Sequence, residues 1–207
     1  MAMLARSRTE AAEPIVRTAQ TGDAPRVFDI LTSAFATDPA VRWMYPDQQQ
    51  YLRFFPAFAE AFGGAAFARG TALLSEGNSG AALWLPPGSA PDDAALGALL
   101  EESVAAPEKD IFALLEEMGS YHPAEPHWYL PLIGVAPRRQ GQGHGSAMMA
   151  YGLRPCDRAD LPAYLEATNP INIPLYQRHG FEILGEIRIG RCPPVYPMLR
   201  AARKFLP

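Results

Sequence analysis

The chain has 207 residues, 48% of them apolar, and a formal net charge of −4. This is enough apolar material for the core of one ordinary domain. The charge excludes a nucleic-acid binder, which needs a clustered Lys/Arg face where this sequence offers only Arg138-Arg139. No apolar run approaches the roughly 20 residues that cross a bilayer and the N-terminus lacks a sustained apolar stretch, so no membrane partner and a cytoplasmic location are expected.

Residues 1–13 read as a flexible leader and 14–207 as a single domain. A first strand is expected over 14–19, after which Thr21-Gly22-Asp23 turns into a helix over 24–35. A second helical region covers 47–62, with Leu52, Phe55, Ala59 and Phe62 at helical spacing, and Pro56 predicts a kink or a break inside it. Between these helices, Trp43-Met44-Tyr45-Pro46 reads as a loop. Strands over 72–75 and 81–85 flank a hairpin connection, Glu76-Gly77-Asn78-Ser79-Gly80, and a stiff proline-rich loop follows over 86–91. Helices over 92–104 and 107–118, parted by Ala106-Pro107, lead to an apolar strand over 128–135.

Beyond that strand comes a helix to about Tyr151, a strand over 163–168, a short helix carrying Tyr176, and strands near 181–189 and 196–201. The strand, helix, strand succession implies a parallel pair, and the flanking hairpins imply antiparallel neighbours, so the fold class is α/β (α+β) with a mixed sheet. Two cysteines, Cys156 and Cys192, are expected as free thiols, and no Cys/His spacing supports a metal site.

The most informative segment is Val135-Ala136-Pro137-Arg138-Arg139-Gln140-Gly141-Gln142-Gly143-His144-Gly145-Ser146. It joins a buried strand to a helix through a glycine-rich turn, a local architecture that holds a pyrophosphate. Glycines let successive N–H groups approach the phosphate oxygens, and the helix N-terminus adds partial positive charge. The Walker pattern is excluded because no lysine precedes Ser146. The dinucleotide fingerprint is disfavoured by the intruding Gln140-Gly141 and by the lack of an acid at the following strand end.

Val135, Pro137, Gln140, Gly143 and Gly145 together resemble the acyl-CoA signature of the GNAT superfamily of N-acyltransferases. A second block, Tyr164-Leu165-Glu166-Ala167-Thr168-Asn169 followed by Tyr176 and Gly180-Phe181, resembles that family's strand, helix and Tyr-x-x-x-Gly-Phe ending. Within the superfamily, His122-Pro123, Glu125-Pro126, Trp128, Gly134-Val135, Gly145-Ser146, Asn172 and Tyr176 are similar to puromycin N-acetyltransferase-like enzymes, whereas residues 64–115 carry little that is diagnostic. The resemblance implies a mostly antiparallel sheet whose two central parallel strands splay apart, with helices on both faces and pantetheine in the gap.

It also implies acetyl-CoA as co-substrate, no metal, and transfer of the acetyl group to a small-molecule primary amine, an antibiotic or a metabolite. A protein or peptide amine is the alternative acceptor, a non-catalytic acyl-CoA sensor the alternative class, and monomer or homodimer the expected assembly. Tyr176 is implied as the acid for the departing thiolate, since a phenol with an ordinary pKa of about 10 is protonated at neutral pH. Backbone groups of Ile133, Gly134 and Val135 are implied to meet the pantetheine. The turn itself, Gln140, Gly141, Gln142, Gly143, His144, Gly145 and Ser146, is implied to wrap the pyrophosphate. Asn169 and Asn172 read either as helix caps or as cofactor contacts. The base is open among His122, Glu125, His127 and Glu166, with Glu166 favoured as catalytic base or water-organiser. In the resembling family, the region of Trp43 and Tyr45 borders the acceptor pocket.

Overall fold

The computed structural model describes residues 13–105 and 107–203, so the expected leader falls outside the described residues except for its last position. Among these residues seven strands form one mixed sheet: β1 (Val16–Thr18), β2 (Ala72–Ser75), β3 (Gly80–Leu85), β4 (Trp128–Val135), β5 (Ala163–Ala167), β6 (Glu182–Ile183) and β7 (Tyr196–Arg200), in the order β1-β2-β3-β4-β5-β7-β6. Every pairing is antiparallel except β4 with β5. That parallel pair is matched only at Trp128 with Ala163 and Tyr129 with Tyr164, although both strands run on. Past Tyr129 the strands part, leaving one edge of β4 unpaired.

Side-chain alternation along the strands divides the core in two. Leu83, Leu85, Tyr129, Leu132 and Tyr164 pack on the face that carries α1 (Ala24–Phe35), α3 (Gln48–Gly63), α5 (Asp93–Ser103) and α6 (Glu108–Ser120). Ala82, Trp84, Leu130 and Leu165 pack on the other, beneath α7 (His144–Ala159) and α8 (Ile173–Arg178). Two short helices, α2 (Pro39–Met44) and α4 (Ala65–Ala68), complete the first layer. Close approach of α7 depends on Gly152, where an added Cβ would lie 2.1 Å from Trp84 Nε1. No helix among the described residues is long and apolar enough to cross a membrane.

Several elements depart from expectation for identifiable reasons. Helix α3 passes Pro56 without a break. The lost hydrogen bond is offset by a buried stripe in which the rings of Phe55 and Phe58, and of Phe58 and Phe62, stack at 5.8 and 5.4 Å. Leu52, expected on that stripe, is 53% exposed. Trp43 and Met44 lie on α2 instead of in a loop; Asp38 starts this helix by accepting from the Ala40 and Val41 N–H groups, with Pro39 in the first turn. Helix α7 continues through Pro155 to Ala159 rather than stopping near Tyr151, because Met148, Met149, Leu153 and Cys156 stay buried along one face. The strand expected over 181–189 shrinks to β6 and an isolated bridge between Ile187 and Val195. Cys156 and Cys192 are free and buried.

Candidate functional site

The glycine turn forms one wall of a cleft at the C-terminal end of β4. After one 3-10 turn over Pro137–Arg139, Gln140 is extended and Gly141 and Gly143 take φ of +73° and +88°, a region that side-chain-bearing residues rarely adopt. This reverses the chain so that α7 starts at His144. The helix has glycine at its N-cap and no side-chain cap, so its first-turn N–H groups are left to whatever occupies the cleft. Gly145 has a different role: a Cβ there would press within 3.3 Å of Leu175 on α8. Likewise a Cβ on Gly134 would lie 2.6 Å from Ala34 Cβ, so this glycine seats α1 on β4.

The side chains of the turn are partly engaged elsewhere. His144 is buried with Nδ1 2.7 Å from Ser75 Oγ, which leaves its backbone for the cleft. Gln140 Nε2 donates to the Val135 carbonyl at 3.3 Å, and Gln142 Nε2 to that of Arg138 at 3.2 Å, each stiffening the turn. Ser146 Oγ pairs with His179 Nε2 at 2.9 Å, tying α7 to α8. Asn169 accepts from the Ile171 N–H at 3.2 Å as a cap while also lining the cleft; Asn172 lines it without a side-chain cap bond. Arg139 and Arg178, which sequence reasoning did not single out, stand at its margin and suit phosphates. Uncapped donors, two left-handed glycines, the free edge of β4 and two guanidinium groups fit an acyl-CoA.

Where β4 and β5 part, the cleft meets a second, apolar cavity, and Phe35, Ile133, Asn172 and Tyr176 line both. Pro131 contributes to this opening. Lacking an N–H, it cannot complete the ladder with β3, and the register slips there between Leu83 opposite Leu132 and Leu85 opposite Tyr129. Tyr176 stands at the junction, buried. Burial, and then the charge of Asp38, push its phenol above the ordinary tyrosine value, so it stays protonated. Asp38 itself is held up by burial, with Oδ2 accepting from Thr168 Oγ1 at 2.7 Å.

The cavity is walled by side chains of α2, α3 and α6, among them Val41, Met44, Phe58, Phe62, Leu114 and Met118. Trp43 and Tyr45 do not line it; Tyr45 is turned into the core, its hydroxyl 2.9 Å from Ser103 Oγ. Besides the phenol of Tyr176, the lining carries one carboxylate, Glu166. Its carboxylate is 3% exposed; Oε2 accepts from the Tyr129 hydroxyl at 2.8 Å and Oε1 lies 3.4 Å from His122 Nε2. Burial and the Glu166 charge hold Tyr129 well above its ordinary value, so it remains a donor.

The other three base candidates extend this arrangement outward. His127 Nδ1 is 2.9 Å from the Glu125 carbonyl oxygen, an atom that can only accept, so Nδ1 carries the hydrogen. A neutral His127 therefore presents a bare Nε2, 3.1 Å from His122 Nδ1, which donates to it. That leaves His122 Nε2 facing Glu166 Oε1 at 3.4 Å. Glu125 takes part through its backbone alone; its carboxylate is exposed.

Strand order, splayed central pair and glycine turn together have the form of an acyltransferase fold. Residues 90–181 match the Acetyltransferase (GNAT) family. An uncharacterized N-acetyltransferase of Schizosaccharomyces pombe is 26% identical over 188 residues, 81% of this chain and 74% of that one. Among solved structures, a Corynebacterium glutamicum protein described as histone acetyltransferase HPA2 and related acetyltransferase has a TM-score of 0.65 at 28% identity, covering 94% of this chain and 99% of its own. The Drosophila melanogaster polyamine N-acetyltransferase shares the fold, with a TM-score of 0.64 at 14% identity over 91% of this chain and 100% of its own. The family match over residues 90–181 and the likeness of fold over most of the chain support a GNAT-type N-acetyltransferase.

Proposed function

We propose that residues 14–207 act as one acyltransferase domain that moves the acetyl group of acetyl-CoA to a small-molecule primary amine by direct attack in a ternary complex. The observation that carries this reading is the meeting, at Tyr176 and Ile133, of a cleft of backbone donors with an apolar cavity whose one carboxylate is Glu166. An open acidic groove, as a peptide amine would require, does not match that cavity. Relatives of the same fold described as polyamine and agmatine N-acetyltransferases act on small amines.

The first-turn N–H groups of α7 with Gly141, Gly143, Arg139 and Arg178 hold the pyrophosphate, and the free edge of β4 at Ile133 and Val135 pairs with the pantetheine amides. Asn169 and Asn172 bind at the cleft floor. Glu166, with His122 at its back, takes the proton of the incoming ammonium. The free amine then attacks the thioester carbonyl, the carbon–nitrogen bond forms as the carbon–sulfur bond breaks, Tyr176 donates its proton to the departing sulfur, and the surplus proton on the new amide nitrogen leaves to restore the phenol. Neither buried cysteine takes part: burial raises Cys156 to about 12 and Cys192 to about 11, where little thiolate forms.

The test is free-thiol release from acetyl-CoA by the purified protein over a panel of amines, with Tyr176→Phe alongside. Turnover of a small amine, reduced about 100-fold or more in Tyr176→Phe at unchanged acetyl-CoA affinity, is the expected result. Turnover that survives the substitution removes Tyr176 as the acid. Binding of acetyl-CoA with no thiol release for any amine removes the transferase mechanism.

A further inference from the structure

We propose that the acceptor is a monoamine: one primary amine on an apolar alkyl or aryl body, without a second cationic centre. The inference rests on the small-amine reading above and names the chemical class that the same cavity admits.

The argument is one of charge counting. A cationic head entering the cavity finds Glu166, which accepts from Tyr129, faces His122 and offers a single negative charge. The remaining wall positions that a substrate body would touch are Val41 and Met44 on α2, Phe58 and Phe62 on α3, and Leu114 and Met118 on α6. None of these carries an acceptor for an N–H. Thr168 and Asn172 are neutral and lie toward the cofactor side, and the Thr168 hydroxyl already donates to Asp38.

An ammonium or guanidinium at the far end of a diamine, polyamine or aminoglycoside would have to shed its water against these rings and methyl groups with no counter-charge. That cost is far larger than any gain from the added contact. A methyl or phenyl terminus in the same place gains from burial instead. On the cofactor side the Asp38 carboxylate is buried and already accepts from Thr168 and from the Ala40 and Val41 N–H groups. Away from the cofactor the next acid is Asp93, in a neighbouring pocket that shares Phe62, Leu115, Met118 and Glu166 with the cavity. It is exposed, so it stays in water and attracts cations to the mouth rather than holding one inside.

The decisive measurement compares two acceptors of matched length, n-hexylamine and 1,6-diaminohexane, by thiol release from acetyl-CoA with the full chain at one pH, with phenethylamine and spermidine as a second pair. The monoamine of each pair is expected to exceed its partner at least about 100-fold in kcat/KM. Equal rates, or a preference for the diamine, overturn the proposal. So does turnover of a peptide or aminoglycoside with none of the monoamines, an outcome that leaves the acetyltransferase assignment standing. Silence with every amine overturns the small-amine reading together with it. In Leu115→Glu, which puts a carboxylate on a half-buried position shared by the cavity and the neighbouring pocket, the ratio is expected to shift at least tenfold toward the diamine. An unchanged ratio locates the distal group outside this cavity and overturns the assignment.

Discussion

The cofactor cleft and the acceptor cavity are built on opposite principles. The cleft is made mostly of backbone: glycines at positive φ, an uncapped helix start and a strand edge left open by the parting of β4 and β5. Apart from Arg139, Arg178 and the two asparagines, what it offers is nearly independent of side-chain identity. The cavity is made mostly of side chains from α1, α2, α3, α6, α8, β4 and β5, with one carboxylate at Glu166. There each substitution changes what can be accepted. Tyr176 belongs to both, and its helix α8 is joined to α7 through the Ser146–His179 hydrogen bond.

Glu166→Gln should separate the two regions most sharply. It keeps the volume and an acceptor for Tyr129 but cannot take a proton, so kcat/KM for the amine should fall about 100-fold or more, and the rise of the rate with pH should change shape. Acetyl-CoA affinity, measured by calorimetry, should stay within about twofold. A large loss of acetyl-CoA binding instead would show that the two regions are not independent. Gly143→Ala addresses the other side. At φ of +88° a Cβ is strained by about 1–3 kcal/mol, so acetyl-CoA should bind about tenfold more weakly while the relative rates among amines stay the same. A changed acceptor preference would break the distinction.

The smallest effect concerns the link between the regions. Burial, and then the charges of Arg178, Arg200 and Arg203, lower His179 below its ordinary value of 6.5. A histidine whose folded-state pKa is lowered contributes stability that is present above the unfolded value and is lost as pH falls through the folded one. Thermal stability should therefore decline on going from about pH 7.5 to about 5.5, as protonation puts a partly buried positive charge beside Arg178, Arg200 and Arg203, and His179→Asn should flatten that decline. An unaltered slope in the variant would assign the acid sensitivity elsewhere.

How far the sequence could be read differs between the regions for the same reason. Strand β4 matches the expected 128–135 at both ends, α1 matches 24–35, and the glycine turn sits where the spacing put it. These are local signals: a periodicity, a breaker, a spacing along one stretch of chain. Helix α2 was missed because its signal is short, an Asp-Pro start before Ala40 and Val41, and the run 43–46 was read as a loop. That omission displaced the expected pocket wall to Trp43 and Tyr45, when the face that α2 turns inward carries Ala40, Val41 and Met44. For the base, four candidates lay within two short segments, and no feature of either segment ranked them beyond the resemblance.

The sequence by itself determined the mixed sheet, the glycine turn and the likeness to GNAT N-acyltransferases, because those depend on residues close together in the chain. Only the tertiary structure decided the apolar cavity and the hydrogen-bonding groups gathered behind Glu166. Glu166 meets Tyr129 across 37 positions, Thr168 meets Asp38 across 130, and α6 reaches the same space from a helix between β3 and β4. Such meetings follow from strand register and from which helix face is buried, and those are settled by the packing of the whole core rather than by any segment of it.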